Sequence, residues 1–164
     1  MQNTTVLILT TLVAFFVSAA LGIVLIPFLR RLKYGQTILD IGPAWHKKKQ
    51  GTPTMGGIMF VIGVTIAVVV GYATLLLSDQ AMRIDSMGTI KLFAGMVMAL
   101  AFGAVGFLDD YIKVVKKRNL GLTARQKYLM QLIIGVFYLA MLYIAGERST
   151  RVVIPFLGQL ELGV

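Results

Sequence analysis

Two adjacent carboxylates, Asp109 and Asp110, are the residues of this sequence best suited to chemistry. They directly follow the apolar run 101–108, which predicts that they lie where a membrane helix meets water. Adjacent helical residues point about 100° apart, so each aspartate is expected to hold a different partner, such as a metal ion for one and a lysine or a proton for the other. Proteins commonly hold magnesium with one or two carboxylates plus substrate phosphates. The alternative is that both are interfacial charges paired with Lys113.

Cations follow the two aspartates at helical spacing. Lys113 stands at i+4 from Asp109 and i+3 from Asp110, and Lys117 lies one turn further along the same stripe. Acidic and basic groups on one face are suited to a metal-bound phosphate or diphosphate, which lysines approach as point charges. The positive-inside rule also accounts for lysines here and stays open as the alternative.

A second polar segment, 42–57, is rich in glycine, proline and hydroxyl residues and leads into an apolar run. Thr52 and Thr54 are expected to cap the helix that follows, whose positive N-terminal end attracts anions. Lys49 stands just before it. His46 is the only histidine of the chain, and a lone histidine is more often structural than catalytic.

Composition identifies a membrane protein. Of 164 residues, 57% are hydrophobic and 14% are charged, whereas soluble domains carry about a quarter charged residues. The absence of cysteine excludes disulfides, zinc–thiolate sites and cysteine nucleophiles. The net charge of +9 is explained by basic loops beside a bilayer, so nucleic acid is not an expected partner.

The predicted fold class is all-α, a polytopic transmembrane helical bundle with about four spans in a single membrane domain. The patch 103–106, Gly-Ala-Val-Gly, predicts close helix approach. No lysine or arginine precedes Arg30, so the first run is expected to remain as a span and not to be cleaved as a signal peptide. Helices are expected at about 4–28, 55–77, 90–108 and 128–145, loops at 30–54 and 109–127, and a tail at 146–164 that favours a small hairpin.

The basic residues predict the orientation. Twelve of the 16 lysines and arginines lie in the segments 30–53 and 109–127, which alternate with two segments that hold the other four. The richer side is expected to be cytoplasmic, with the N-terminus outside.

Two segments carry a family resemblance. Residues 51–57, Gly-Thr-Pro-Thr-Met-Gly-Gly, with Gly42, Pro43 and His46 upstream, resemble the first signature of the MraY family of phospho-N-acetylmuramoyl-pentapeptide-transferases. Residues 106–111, Gly-Phe-Leu-Asp-Asp-Tyr, with Ala-Arg-Gln-Lys at 124–127, resemble the second. The resemblance covers essentially the whole chain.

The resemblance implies a bacterial inner-membrane enzyme of peptidoglycan synthesis with a cytoplasmic active face. It would transfer phospho-MurNAc-pentapeptide from its UDP donor (UDP-MurNAc-pentapeptide) to undecaprenyl phosphate, releasing UMP and forming lipid I, with Mg2+ required. The family pattern makes Asp109 the base toward the lipid phosphate, with Asp110 beside it, and both are candidate metal ligands. The implied substrate-binding residues are Lys113, Lys117 and Arg125 at the phosphates, Lys49 and Thr54 on the nucleoside side, and His46.

The family has about ten transmembrane helices, and its later metal-binding and histidine motifs are not found within these 164 residues. The chain is therefore expected to be an amino-terminal part that lacks turnover by itself. A homodimer is left open. Two alternatives also remain: a related UDP-N-acetylhexosamine polyprenyl-phosphate transferase, and a non-catalytic four-helix membrane scaffold or transporter.

Overall fold

The computed structural model describes residues 2–31, 54–78, 85–116, 118, 120–149, 151–154 and 158–161. The described chain folds as four helices followed by a hairpin, which confirms the predicted helical bundle. The tail sequence favoured a hairpin, and the hairpin observed is antiparallel and pairs Arg151 with Glu161. The elements are α1 (Gln2–Arg31), α2 (Gly57–Leu76), α3 (Ser86–Val115), α4 (Ala124–Ile144), β1 (Arg151–Ile154) and β2 (Gly158–Glu161).

All four helices are long and apolar enough to cross a membrane. They contain 20 to 30 residues each, and a bilayer core of about 30 Å needs roughly 20. Large apolar side chains such as Phe16, Ile23 and Phe137 are exposed along them. Such surfaces are suited to contact with lipid or with further membrane helices and not with water.

Helices α1 and α2 pack through small residues on α2. Gly63, Ala67 and Gly71 recur every fourth position on one face and are all buried. A Cβ atom at Gly63 would lie 3.0 Å from the backbone nitrogen of Ser18, which is tighter than normal packing allows. Close backbone approach through small residues is how membrane helices gain contact without a hydrophobic driving force.

The patch 103–106 does not provide the close approach that its small residues would allow. A Cβ atom at Gly103 would meet Val61 at 3.5 Å, which is an ordinary contact, and nothing among the described residues lies within 4 Å of such an atom at Gly106. Both glycines instead border a cleft between α2 and α3. Small residues permit close packing but do not require it, so only the neighbouring helix decides where it occurs.

Hydroxyl groups within the spans bond to carbonyl groups of their own helix. Thr10 Oγ1 donates to the carbonyl of Val6 at 2.8 Å, and Thr65 Oγ1 donates to that of Val61 at 2.7 Å. These bonds satisfy polar atoms that would be costly to leave unpaired in hydrocarbon.

Helix α3 extends beyond the apolar run at both ends. It begins at Ser86, where Asp85 is the N-cap and accepts a bond from Gly88 N at 3.0 Å, and it continues to Val115. The sequence predicted a helix only at 90–108, because that prediction followed the apolar residues. Helix formation depends on backbone hydrogen bonds and does not need apolar side chains, so a helix can continue into polar residues. Asp109 and Asp110 therefore lie on a helix.

The charges on α3 mark the length of its apolar part. Lys91 and Asp109 are about 18 residues apart, and at 1.5 Å per residue this gives about 27 Å. That length is close to the thickness of a hydrocarbon core of about 30 Å. The two aspartates therefore lie where α3 would leave the lipid.

Candidate active site

Asp109 joins three parts of the chain on the penultimate turn of α3. Asp109 as a whole residue is only 7% exposed. Lys113 Nζ lies 2.7 Å from Oδ2, and Lys127 Nζ lies 3.0 Å from Oδ1. Leu122 N donates to Oδ1 at 2.8 Å, and Gly121 packs directly against the carboxylate. We call these five residues the Asp109 cluster.

Local helix structure places the two lysines of this cluster. Lys113 stands one turn after Asp109 on α3, so its side chain reaches back along the same face. Thr123 caps α4 through a capping box, in which Gln126 N donates to Thr123 Oγ1 at 3.3 Å and Thr123 N donates to Gln126 Oε1 at 2.9 Å. This cap fixes the first turn of α4, from which Lys127 reaches Asp109.

Asp110 connects α3 to the beginning of α2. Its Oδ1 atom lies 3.1 Å from Lys113 Nζ, so one lysine contacts both carboxylates. Its Oδ2 atom accepts a hydrogen bond from Met55 N at 3.2 Å. Met55 is buried and has a φ of 67°, an unfavourable left-handed conformation for a side chain of this size. Backbone strain held by surrounding contacts is common at functional sites.

The expected cap of α2 by Thr54 is wrong. Gly56 is the N-cap residue and makes no side-chain cap bond, while Thr54 lies two positions before it and is half-buried. Thr52 lies outside the described residues. The turn is closed instead by backbone bonds, including Ile58 N to Met55 O at 3.2 Å.

A cleft of about 680 Å³ lies between α2 and α3. Asp109, Asp110 and Met55 line its polar end. The remainder is apolar and includes Leu100 and Phe107. The cleft therefore brings a charged centre and a hydrocarbon surface together.

The structure brings together three of the predicted site residues, Asp109, Asp110 and Lys113. Arg125 is exposed on α4 and makes no ion pair with the described part of the chain. It is two positions from Lys127, and helical residues at that spacing do not share a face. Lys49, His46 and Lys117 lie outside the described residues.

Lys127 is a site residue that the sequence-based set omitted. Its side chain is 41% exposed and is ion-paired with Asp109. The signal available was its place in the Ala-Arg-Gln-Lys segment at 124–127, one turn after the cap residue Thr123. An ammonium group has three donors, so Lys113 and Lys127 can each also bind an oxyanion.

Of the two aspartates, Asp110 is better suited to magnesium among the described residues, because only one of the two groups that bond to it is a cation. Both oxygens of Asp109 already accept bonds, and two of its three donors are cations that would repel a metal ion. The Asp110 side chain is 32% exposed and contacts one cation. Among the described residues no group of three His, Cys, Asp or Glu side chains comes together. Asp110 would thus be a single carboxylate ligand, with phosphate oxygens and water as the others.

Comparison with known proteins identifies the relatives of this chain. The family signature described as phospho-N-acetylmuramoyl-pentapeptide-transferase signature 1 matches residues 49–61, which include Met55. The Bacillus subtilis (strain 168) protein named phospho-N-acetylmuramoyl-pentapeptide-transferase is 44% identical over 150 residues, which is 92% of this chain and 43% of that protein.

A protein of the same name from Desulforamulus reducens is 45% identical over 152 residues, or 93% of this chain and 42% of that protein. The chain thus spans about two fifths of the length of these curated relatives. By its signature and by similarity over nine tenths of its length, the chain belongs to the MraY family of phospho-N-acetylmuramoyl-pentapeptide-transferases.

Proposed function

We propose that this chain is the amino-terminal part of an enzyme that transfers phospho-MurNAc-pentapeptide from its UDP donor to undecaprenyl phosphate, giving lipid I and UMP. One observation supports it most: Asp110, in the second signature segment, bonds to Met55, in the first. The two segments that resemble the family thus form one site, which a non-catalytic scaffold would not require.

The charges at this site are suited to a diphosphate. Lys113 and Lys127 lie beside the aspartates with side chains that are 32% and 41% exposed, so each keeps donors for phosphate oxygens. Bound magnesium would add charge neutralisation at the diphosphate. Asp110 would hold the metal on the protein side, while Asp109 as the base toward the lipid phosphate stays a prediction.

The site lies where both substrates could reach it. The charged end of the cleft lies where α3 would leave the membrane, and the apolar part of the cleft lies between α2 and α3. A lipid phosphate has the same division between a charged head and a hydrocarbon tail. The basic residues near this end support a position on the cytoplasmic face of the inner membrane, where a UDP-linked donor would be available.

A donor comparison tests the proposal. The full-length protein would be purified in detergent and supplied with undecaprenyl phosphate, magnesium and either UDP-MurNAc-pentapeptide or UDP-N-acetylglucosamine. UMP release is expected only with the pentapeptide donor. Release with UDP-N-acetylglucosamine alone would identify a related hexosamine transferase. Release with neither donor would favour a membrane scaffold or transporter.

A further inference from the structure

Arg125 lies on the side of α4 that is turned away from the Asp109 cluster. Successive residues of a helix are about 100° apart, so Arg125 is about 200° around α4 from Lys127. Lys127 pairs with Asp109 on α3 and therefore faces that helix. Arg125 consequently points outward, which agrees with its exposure and with the absence of an ion pair to the described residues.

An exposed apolar stripe continues along α4 from Arg125. Its members stand at i+4, i+7, i+11 and i+18 from Arg125, which is one face of a helix, and each is at least 48% exposed: Leu129, Leu132, Val136 and Tyr143. No charged residue occurs at positions 128–146. This face is therefore suited to hydrocarbon over the length of the span.

The ion pair of Lys127 also sets the depth of Arg125 in the membrane. Asp109 lies where α3 would leave the lipid, and Lys127 Nζ is 3.0 Å from its Oδ1 atom. Arg125 is two residues nearer the start of α4, or about 3 Å along the helix axis, so it lies at the level of the lipid headgroups. Tyr128 follows one turn deeper and is exposed, which is the usual place of a tyrosine at the interface between membrane and water.

A cation at the head of a lipid-facing stripe needs an anion at the same depth. The guanidinium group of arginine binds phosphate oxygens with two parallel hydrogen bonds. A phospholipid brings its phosphate to this level and its acyl chains to the apolar residues below. In a zwitterionic phospholipid an attached cation already neutralises the phosphate, whereas an anionic phospholipid keeps its net charge for Arg125.

We propose that Arg125 and Tyr128, with the apolar stripe of α4, form a binding site for one anionic phospholipid of the surrounding bilayer. The acceptor of the proposed reaction is also a lipid phosphate, but its phosphate at this position would face away from Asp109. The site therefore binds membrane lipid and not substrate. It depends on the membrane fold alone and is independent of the transfer reaction.

Lipid titration of the full-length protein in detergent tests the proposal. Phosphatidylglycerol and phosphatidylcholine with identical acyl chains would be added separately, and bound lipid would be counted by native mass spectrometry. Arg125→Gln is expected to weaken the binding of one phosphatidylglycerol about fivefold, the scale of one cation near an anionic lipid surface, and to leave phosphatidylcholine binding unchanged. Lipid sites elsewhere are the same in both proteins and cancel in this comparison.

Lys116→Gln is the matched control. Lys116 is exposed at the C-cap of α3 and makes no ion pair in the described part of the chain. It stands seven residues after Asp109, or about 10 Å further along the axis, which is beyond the headgroup level. Its replacement should leave phosphatidylglycerol binding as in the wild type. Equal losses in the two variants would reveal a general attraction between charges and would overturn the site.

Two other results would also contradict the proposal. Unchanged phosphatidylglycerol binding in Arg125→Gln is expected if a further helix of the full-length protein or a second copy covers this face. Displacement of the Arg125-dependent phosphatidylglycerol by an equimolar amount of undecaprenyl phosphate would assign the site to the acceptor. Arg125 is exposed, so its replacement should not disturb packing, and circular dichroism would verify that each variant is folded. A wild type without transfer activity would overturn the proposed function and leave this measurement unaffected.

Discussion

The backbone N–H of Met55 donates to Asp110 Oδ2 at 3.2 Å, although the two residues are 55 positions apart in the sequence. Met55 is in the left-handed region directly before α2, and Asp110 lies near the end of α3. This one bond ties the entry of α2 to the carboxylate that also binds Lys113. The position of Asp110 therefore depends on the conformation of a loop in a different part of the sequence.

Replacement of Asp110 separates its structural role from its charge. Asp110→Ala should destabilise the protein by about 1–3 kcal/mol because it leaves the partly buried Met55 N–H without an acceptor. Asp110→Asn keeps an acceptor, so it should stay close to the wild type in stability and still lose transfer activity. Thermal unfolding in detergent and UMP release would be measured. Equal unfolding temperatures for the two variants would contradict the role of the Met55 bond.

Lys127 and Arg125 form a matched pair for testing which cation of α4 belongs to the site. Lys127 contacts Asp109, while Arg125 is exposed with no ion pair to the described residues. Lys127→Met should therefore raise KM for the UDP donor by more than Arg125→Met. Initial rates at varied donor concentration would show the difference. A larger effect at Arg125 would restore the assignment made from the sequence alone.

Gly63 tests the contact between α1 and α2. Gly63→Ala should destabilise by about 1–3 kcal/mol, because its Cβ would lie 3.0 Å from Ser18 N and 3.1 Å from Ser18 Cβ. Gly95→Ala is the control: its site is open in the described structure, and alanine favours helix by about 1 kcal/mol relative to glycine. Unfolding in detergent would be followed by circular dichroism. Similar unfolding temperatures for both variants would disprove close packing at Gly63.

Glu147 forms an ion pair with Lys91, at the opposite end of α3 from Asp109, and this ion pair should make the stability of the protein depend on pH. The hydrogen bond from Lys91 lowers the pKa of Glu147 below its ordinary value of 4.5, with a further contribution from Ser149 N. A carboxylate with a lowered pKa in the folded state stabilises it above the pKa of the unfolded state, and this contribution is lost as pH falls through the folded value.

Unfolding temperature would be measured from pH 7 down to pH 3 for the wild type and for Glu147→Gln. The difference between them should be largest near neutral pH, should decrease progressively as pH falls below about 4.5 through the lowered pKa of folded Glu147, and should shrink in high salt. A constant difference across this range would show that the ion pair does not contribute.

Helix type and the acidic pair were predictable, because apolar runs and i+3 or i+4 spacing are local properties. Helix ends were less predictable. Helix α3 continues seven residues beyond the apolar run to Val115, because charged residues can be helical where the helix has left the lipid. The capping role of Thr54 was mistaken because the left-handed turn at Met55 moves the start of α2 to Gly57. A left-handed methionine has no clear sequence signal.

The sequence by itself determined that the chain is a bundle of membrane helices and that two carboxylates, with Lys113 at helical spacing from them, directly follow one apolar run. Those features depend on composition and on helical period. Only the tertiary structure decided that Lys127 binds Asp109 and that Met55 binds Asp110, because both contacts join residues on separate elements. Ion pairs and hydrogen bonds act over about 3 Å, and distances between helices are set by packing and by turns that residue spacing does not encode.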